Sequence, residues 1–90
     1  MPMNFRTFDL NLLRVFDAVM TDGSLTRAAQ SLAMTQPAVS HALKRLHAAV
    51  GEPLFVRGAS GMTPTPRAEA LWPQVRAALA SLRGVLAPEA

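Results

Sequence analysis

The intervals between apolar residues divide the chain into helical segments and one short segment of a different kind. Leu12, Phe16 and Val19 recur at steps of four and three, which predicts a first helix over residues 10–20. Asp9 stands directly before this segment, and a carboxylate in that position is a favoured N-cap. The first predicted element is therefore a capped helix with one buried face.

Two more helices follow, and each is preceded by a hydroxyl side chain that can cap it. Ser24 precedes a predicted helix over residues 25–32, and Thr35 precedes one over residues 36–50. The turn between them costs on the order of 1 kcal/mol if it needs a left-handed conformation at Ala33. The third helix is expected to bury an apolar stripe made of Val39, Leu43, Leu46 and Val50.

After the third helix the apolar runs become short and are bounded by glycine. Residues 54–64 hold two such runs around a loop, which predicts a small β-hairpin. Thr65 and Pro66 then mark the start of a long helix, in which Pro73 should cause a kink or mark a late start. Its apolar stripe consists of Ala68, Leu71, Trp72, Val75, Ala78, Leu79, Leu82 and Val85 or Leu86.

The length and composition of the chain limit the classes of protein to which it can belong. Ninety residues, 50% of them apolar, suit one small folded domain with little room for a deep ligand pocket. There is no cysteine and no apolar run of membrane-spanning length, so we expect a cytoplasmic protein without disulfides. His41 and His47 lie on different helix faces, and Asp9 and Asp17 have no partner base. We therefore expect no enzyme, no metal site and no cofactor.

Positive charge is concentrated in the middle of the chain. The formal net charge is +3, and residues 24–67 hold five basic side chains and one acidic side chain, Glu52. Such a concentration favours a polyanionic partner, although on charge alone an ordinary solvated surface explains it equally well. The five basic residues are Arg27, Lys44, Arg45, Arg57 and Arg67.

The outer face of the third predicted helix has the chemistry of a helix that reads DNA. Such a helix presents polar groups to base edges from its first two turns. Gln36 can bond adenine, Lys44 can reach a guanine or a phosphate, and Thr35 can bind a phosphate at the helix N-terminus. Pro37 and Ala38 offer apolar contact to a thymine methyl group. The alternative is an ordinary helix surface with Thr35 as its cap. The other polar residues of this face are Ser40, His41 and Arg45.

Five motifs occur in a specific order along the chain. They are DLNLLRVFDAV at 9–19, TRAA at 26–29, TQPAVS at 35–40, LFVR at 54–57 and GMTPTP at 61–66. Together and in this order they closely resemble the N-terminal DNA-binding domain of LysR-type transcriptional regulators. The similarity extends over roughly residues 8–86, whereas TRAA alone would be unspecific.

The resemblance implies a mainly α fold: a winged helix-turn-helix of three helices and a β-hairpin wing, then a long linker helix. We place the winged domain at residues 1–64 and the linker or dimerisation helix at 65–90. The implied partner is double-stranded DNA with an interrupted inverted repeat, bound by a homodimer, or by a tetramer at full length. A small-molecule effector would bind only through a further C-terminal domain. The chain is then the DNA-binding part of a longer, nucleoid-associated regulator.

The resemblance also assigns residues by position. It places 36–50 in the major groove, and it places the wing, 54–64, on the adjacent backbone or minor groove. The family often has a basic residue where this chain has Ser60, and a glycine where it has Ala68. The predicted DNA-binding set is Arg27, Thr35, Gln36, Pro37, Ala38, Ser40, His41, Lys44, Arg45, Arg57, Ser60, Thr65 and Arg67. The predicted dimerisation set is Leu71, Trp72, Val75, Leu79, Leu82 and Leu86.

A winged helix used for protein–protein contact is the alternative from another class. Such a module would not need Gln36, Ser40 and Lys44 on one helix face. It would bind DNA weakly and without sequence preference, through its net charge alone.

Overall fold

Six elements follow one another in the computed structural model, which describes residues 4–58 and 61–87. They are α1 (Asn11–Asp22), α2 (Leu25–Leu32), α3 (Gln36–Val50), β1 (Phe55–Gly58), β2 (Gly61–Pro64) and α4 (Pro66–Leu86). The two strands pair antiparallel, with Phe55 opposite Pro64 and Arg57 opposite Met62. The predicted architecture of three helices, a hairpin and a long final helix is confirmed. No helix of the described ranges has both the length and the apolar character needed to cross a bilayer.

The second and third helices start at the residues that the sequence indicates. The Ser24 hydroxyl accepts a hydrogen bond from the Arg27 N–H at 3.3 Å, and the Thr35 hydroxyl accepts one from the Ala38 N–H at 3.2 Å. These bonds satisfy backbone donors that the first turn of a helix leaves unpaired. The starts of both helices of the helix-turn-helix segment are thus fixed by local chemistry.

The first helix starts one residue later than predicted. Its N-cap is Leu10, whose side chain makes no capping hydrogen bond, so the assignment of Asp9 as the N-cap is wrong. The Asp9 carboxylate instead accepts a hydrogen bond from the Asn11 N–H at 2.9 Å. At its other end the helix continues to Asp22, because Gly23 takes the left-handed conformation that stops it, with φ 68°.

The turn between α2 and α3 requires a left-handed residue, and alanine fills the position. Ala33 has φ 56° and is the single non-glycine residue with positive φ within the described ranges. Its N–H donates to the Gln30 carbonyl at 3.2 Å, and the Met34 N–H donates to the Ala29 carbonyl at 2.9 Å. These bonds hold a conformation that costs about 1 kcal/mol for an L-residue with a Cβ.

The hydrophobic core lies between α1, α2 and α3, and is closed by the start of β1 and the first turn of α4. Val15, Ala28, Val39 and Ala68 are fully excluded from solvent, and Leu54 and Phe16 are 1% exposed. Val50, the last member of the predicted α3 stripe, is only half-buried because it lies where the helix leaves the core. The remaining buried core residues are Leu12, Val19, Leu25, Ala29, Ala42, Leu43, Leu46 and Phe55.

Helix α4 is continuous from Pro66 to Leu86, so of the two alternatives predicted for Pro73, a kink or a late start of the helix, the late start is wrong. A proline inside a helix removes one hydrogen bond, here the one to the carbonyl of Glu69. Pro73 and Glu69 are both exposed, and water can therefore satisfy that carbonyl. The helix continues through the proline because its missing bond lies on the solvent side.

The apolar stripe of α4 changes its environment along the helix. Leu71, Trp72 and Val75 pack partly against the core of the same domain, and Leu79 is buried. Beyond Leu79 the stripe projects past the body of the domain. Its exposed end consists of Leu82 at 49% exposure, Val85 at 78% and Leu86 at 82%. Of the predicted dimerisation set, Leu82 and Leu86 thus lie on open surface.

Candidate nucleic-acid interface

The first two turns of α3 present most of the predicted reading residues to solvent. Gln36, Pro37, His41 and Lys44 are exposed, as is the Thr35 cap that precedes them. This orientation follows from the opposite face, which is anchored in the core. Half-buried positions between the exposed ones are Ala38 and Ser40. The Thr35 hydroxyl oxygen accepts the Ala38 N–H, so its own O–H remains able to donate to a phosphate oxygen.

A cleft of about 400 Å³ joins the start of α3 to the hairpin. Gln36 lines one side, Arg57 and Gly58 line another, and residues 23–26 at the start of α2 close it. The N-terminal ends of two helices carry partial positive charge, to which Arg57 adds a full one. The cleft therefore has the electrostatic character of an anion site. The sequence indicated the α2 cap but carried no signal that this cap would stand beside the hairpin.

A second cleft, of about 190 Å³, lies further along α3. Ser40 and Lys44 line it from the helix, and Arg57 and Met62 line it from the hairpin. Arg57 therefore borders both clefts. The outer face of α3 and the hairpin form one continuous surface, with Arg57 at their junction, which we name the α3–hairpin surface.

Two of the five central basic residues are engaged in ion pairs. An Arg45 guanidinium nitrogen lies 3.3 Å from the Asp9 carboxylate, and the Arg67 Nε lies 3.8 Å from Glu52. Both pairs are roughly half exposed, and such pairs contribute little to stability. In the part of the chain that the structure describes, no carboxylate lies within ion-pair distance of the other three, which are Arg27, Lys44 and Arg57.

The predicted DNA-binding set also includes Thr65 and Ser60. Thr65 caps α4: its hydroxyl accepts the Ala68 N–H at 3.3 Å and donates to the Pro53 carbonyl at 3.1 Å. Both hydrogen-bonding directions of that hydroxyl are therefore used inside the domain. Ser60 lies outside the described residues.

His47 occupies the inner wall of the second cleft. Its Nε2 is buried and has no hydrogen-bond partner among the described residues, and its ring centroid lies 6.3 Å from that of Phe55. Burial disfavours the imidazolium and lowers the pKa of His47 below 6.5. Burial thus favours the neutral imidazole where α3 meets the hairpin.

The pH dependence of stability follows from that shift. Because the pKa of His47 is lower in the folded chain, the unfolded chain takes up the proton first as pH falls through 6.5. The free energy of unfolding should therefore decrease as the pH falls from about 7 through 6.5 and below. His47→Gln should remove this component, as measured by urea denaturation at several pH values. An identical slope in both proteins would contradict the role given to His47.

Comparison with known proteins identifies the same arrangement elsewhere. The model of the family described as "Bacterial regulatory helix-turn-helix protein, lysR family" matches residues 10–69. The HTH-type transcriptional activator NahR of Pseudomonas putida is 48% identical over 84 residues, covering 93% of this chain and 28% of NahR. The chain thus spans little more than a quarter of that relative.

Solved structures agree with the sequence match. The probable transcriptional regulator PA0477 from Pseudomonas aeruginosa superposes with a TM-score of 0.84 at 46% identity, over 90% of this chain and 27% of that one. The BenM_DBD/catB site 1 DNA complex superposes with a TM-score of 0.82 at 28% identity, over 88% of this chain and 89% of that one. In the described residues no group of three His, Cys, Asp or Glu side chains is placed to hold a metal ion.

Proposed function

The chain belongs to the lysR family of bacterial regulatory helix-turn-helix proteins, and from that premise we propose that it binds double-stranded DNA sequence-specifically as part of a transcriptional regulator. One observation carries the proposal. Arg57 borders both clefts, so that the exposed turns of α3 and the hairpin form one positively charged surface. A similar domain is the protein component of the BenM_DBD/catB site 1 DNA complex.

The residues divide into two roles by their chemistry. Gln36 and Ser40 lie along one face of α3 and can reach base edges in the major groove, and Lys44 on the same face can reach a guanine or a phosphate. Thr35 and Arg57 bind phosphates and fix the position of the helix, since backbone contacts orient a protein without reading sequence. The recognition helix is then 36–50, and the wing is 54–64. Further contacts in this proposal come from Arg27, Pro37, Ala38 and His41, with Arg45, Ser60, Thr65 and Arg67 at the margin.

The end of α4 supplies a reason to expect two copies. Leu82, Val85 and Leu86 form an apolar end that the domain itself leaves uncovered, and a second copy of α4 offers the same surface in return. Helix α4, within the segment 65–90, is then the dimerisation helix of a homodimer that reads an interrupted inverted repeat. For the whole regulator we propose a tetramer that acts on the nucleoid in the cytoplasm and takes a small-molecule effector through a further domain.

Salt dependence tests the proposed surface through Lys44. Removing a phosphate contact reduces the number of counterions released, so Lys44→Ala should lower the slope of log Kd against log salt by about 1. Fluorescence anisotropy with a labelled duplex at several salt concentrations measures that slope. Arg14→Ala is the matched control, because Arg14 is exposed on α1 and lines a cleft on the α4 side of the domain. An equal decrease for both variants would show diffuse charge attraction, as expected of a protein–protein module.

A further inference from the structure

One carboxylate of α1 holds two points of α4. The Asp17 Oδ1 accepts a hydrogen bond from the Trp72 indole N–H at 2.9 Å. Its Oδ2 lies 3.9 Å from a guanidinium nitrogen of Arg83, about three helical turns further along α4. The direction of α4 across the domain is therefore linked to a single side chain.

The two contacts differ in strength. The Asp17 side chain is 20% exposed and Trp72 is half-buried, so water competes little for their hydrogen bond. The Arg83 side chain is 71% exposed, and an ion pair in that position is weak. The Arg76 guanidinium lies 5.1 Å from the centroid of the Trp72 ring, which restricts the indole further. The hydrogen bond from Trp72 is thus the directional contact of this cluster.

The start of α4 is fixed separately. The Thr65 N–H donates to the Leu54 carbonyl at 3.0 Å, and its hydroxyl donates to the Pro53 carbonyl at 3.1 Å. These bonds fix the first turn and do not by themselves set the direction of the rest of the helix. Beyond them α4 rests on α1 mainly through apolar side chains such as Leu79, and apolar contact is not directional. After the first turn, the Asp17–Trp72 hydrogen bond is therefore the directional contact that adds to this apolar packing.

A small tilt has a large effect at the far end. A helix of the length of α4, Pro66–Leu86, extends about 30 Å, so a rotation of about 10° displaces its end by about 5 Å. One base-pair step of DNA is about 3.4 Å. In a dimer joined through the apolar end of α4, a displacement of that size would change the separation of the two α3 helices by more than one base pair.

We propose that Asp17 is a positioning residue that selects the spacer length between the two half-sites, by fixing the tilt of α4 through Trp72. The proposal rests on the proposed function, because it requires two copies joined through the end of α4. It adds a residue that touches neither DNA nor the partner copy. Asp17 determines which spacing of half-sites the dimer accepts and leaves the reading of each half-site to α3.

The test is a panel of duplexes that share the same two half-sites and differ in spacer length by one base pair at a time. The wild-type chain should prefer one spacer. Trp72→Phe keeps an aromatic ring but removes the donor, and Asp17→Leu removes the acceptor. In each, the preference for the best spacer over one longer by two base pairs should fall about tenfold. Asp17→Asn retains an acceptor oxygen and should keep the preference to within about threefold.

The ratio between spacers separates positioning from a general loss of stability. A partly unfolded variant behaves like the wild type at a lower concentration, because it binds every duplex less well by the same factor. Its ratio of affinities for two spacer lengths is therefore unchanged. Affinity for a single half-site should be the same in all four proteins. A wild-type preference that survives in both Trp72→Phe and Asp17→Leu would overturn the role of Asp17 and leave the proposed function standing. A wild-type chain that binds equally well at every spacer length would overturn the role of Asp17 alone, whereas a wild-type chain that binds half-site and unrelated duplexes alike would overturn the proposed function.

A second measurement needs no DNA. The chain contains no cysteine, so a single cysteine introduced at the exposed Gln30 can carry a spin label. The distribution of distances between the labels of a dimer should be narrow in the wild type and clearly broader in Trp72→Phe. Equal widths would overturn the proposal.

Discussion

Gln36→Ala is expected to weaken binding to the preferred DNA sequence by about 1–3 kcal/mol, or roughly 5- to 150-fold in Kd. The Gln36 amide offers a donor and an acceptor, which is the pair that a base edge such as that of adenine matches. Its position supports this role, because it is exposed in the first turn of α3 and shares a cleft with Arg57. Binding to unrelated sequences should change little. Competition assays with preferred and unrelated duplexes measure both values.

Gln74→Ala is the matched control for this substitution. Gln74 is exposed in α4, away from the α3–hairpin surface, and its replacement should leave both affinities unchanged. Lys44→Ala should weaken both kinds of duplex to a similar degree if it contacts a phosphate. If Gln36→Ala also weakened both equally, Gln36 would be a backbone contact and its assignment to base reading would be wrong.

Combined replacement of Leu82 and Leu86 by glutamate is expected to give a monomer. The two carboxylates would have to be buried against those of the second copy, where unpaired charge is costly. Losing the second half-site removes the gain from bivalent binding, so affinity for the inverted repeat should fall by about 100-fold or more. The fold should remain intact because Leu82 and Leu86 are 49% and 82% exposed. Light scattering at micromolar concentration measures whether the variant is a monomer, and DNA titration measures its affinity for the inverted repeat.

Ala80→Glu is the control that adds a negative charge to α4 away from the apolar end. Ala80 is exposed in the same helix and lies on the face opposite Leu82, Val85 and Leu86, so this variant should remain dimeric. A dimer that persists in the Leu82 and Leu86 double variant would show that another surface joins the copies.

The caps and stripes of the helix-turn-helix could be predicted because they depend on neighbours in sequence. Ser24 and Thr35 each bond the backbone three residues later, and Leu43 and Leu46 follow the helical period. The outer face of α3 was predictable for the same reason. Once the apolar stripe of a helix is buried, the residues on the opposite side of that helix are exposed to solvent. Asp9 was wrongly assigned as the N-cap of α1. Its carboxylate accepts a hydrogen bond from the Asn11 N–H, two residues later, and the helix begins one residue after the predicted start.

Contacts between elements were beyond local reasoning. Asp17 and Trp72 are 55 residues apart, and neither has a sequence feature that indicates the other. Arg45 was expected on the DNA-binding face as one more positive charge, but it lies beside Asp9, 36 residues earlier. The clefts that Arg57 borders depend on where the hairpin packs. These details follow from how helices and hairpin are arranged in space, which the spacing of residues along the chain does not specify.

Selection of bound duplexes from a pool of random DNA tests sequence-specific reading by this domain most directly. The wild-type chain should enrich sequences that share two inverted half-sites at one spacing, and Gln36→Ala should relax the choice of base at one position of each half-site. Enrichment of no common sequence, by a folded chain that still binds DNA at low salt, would contradict sequence-specific binding and leave only charge attraction.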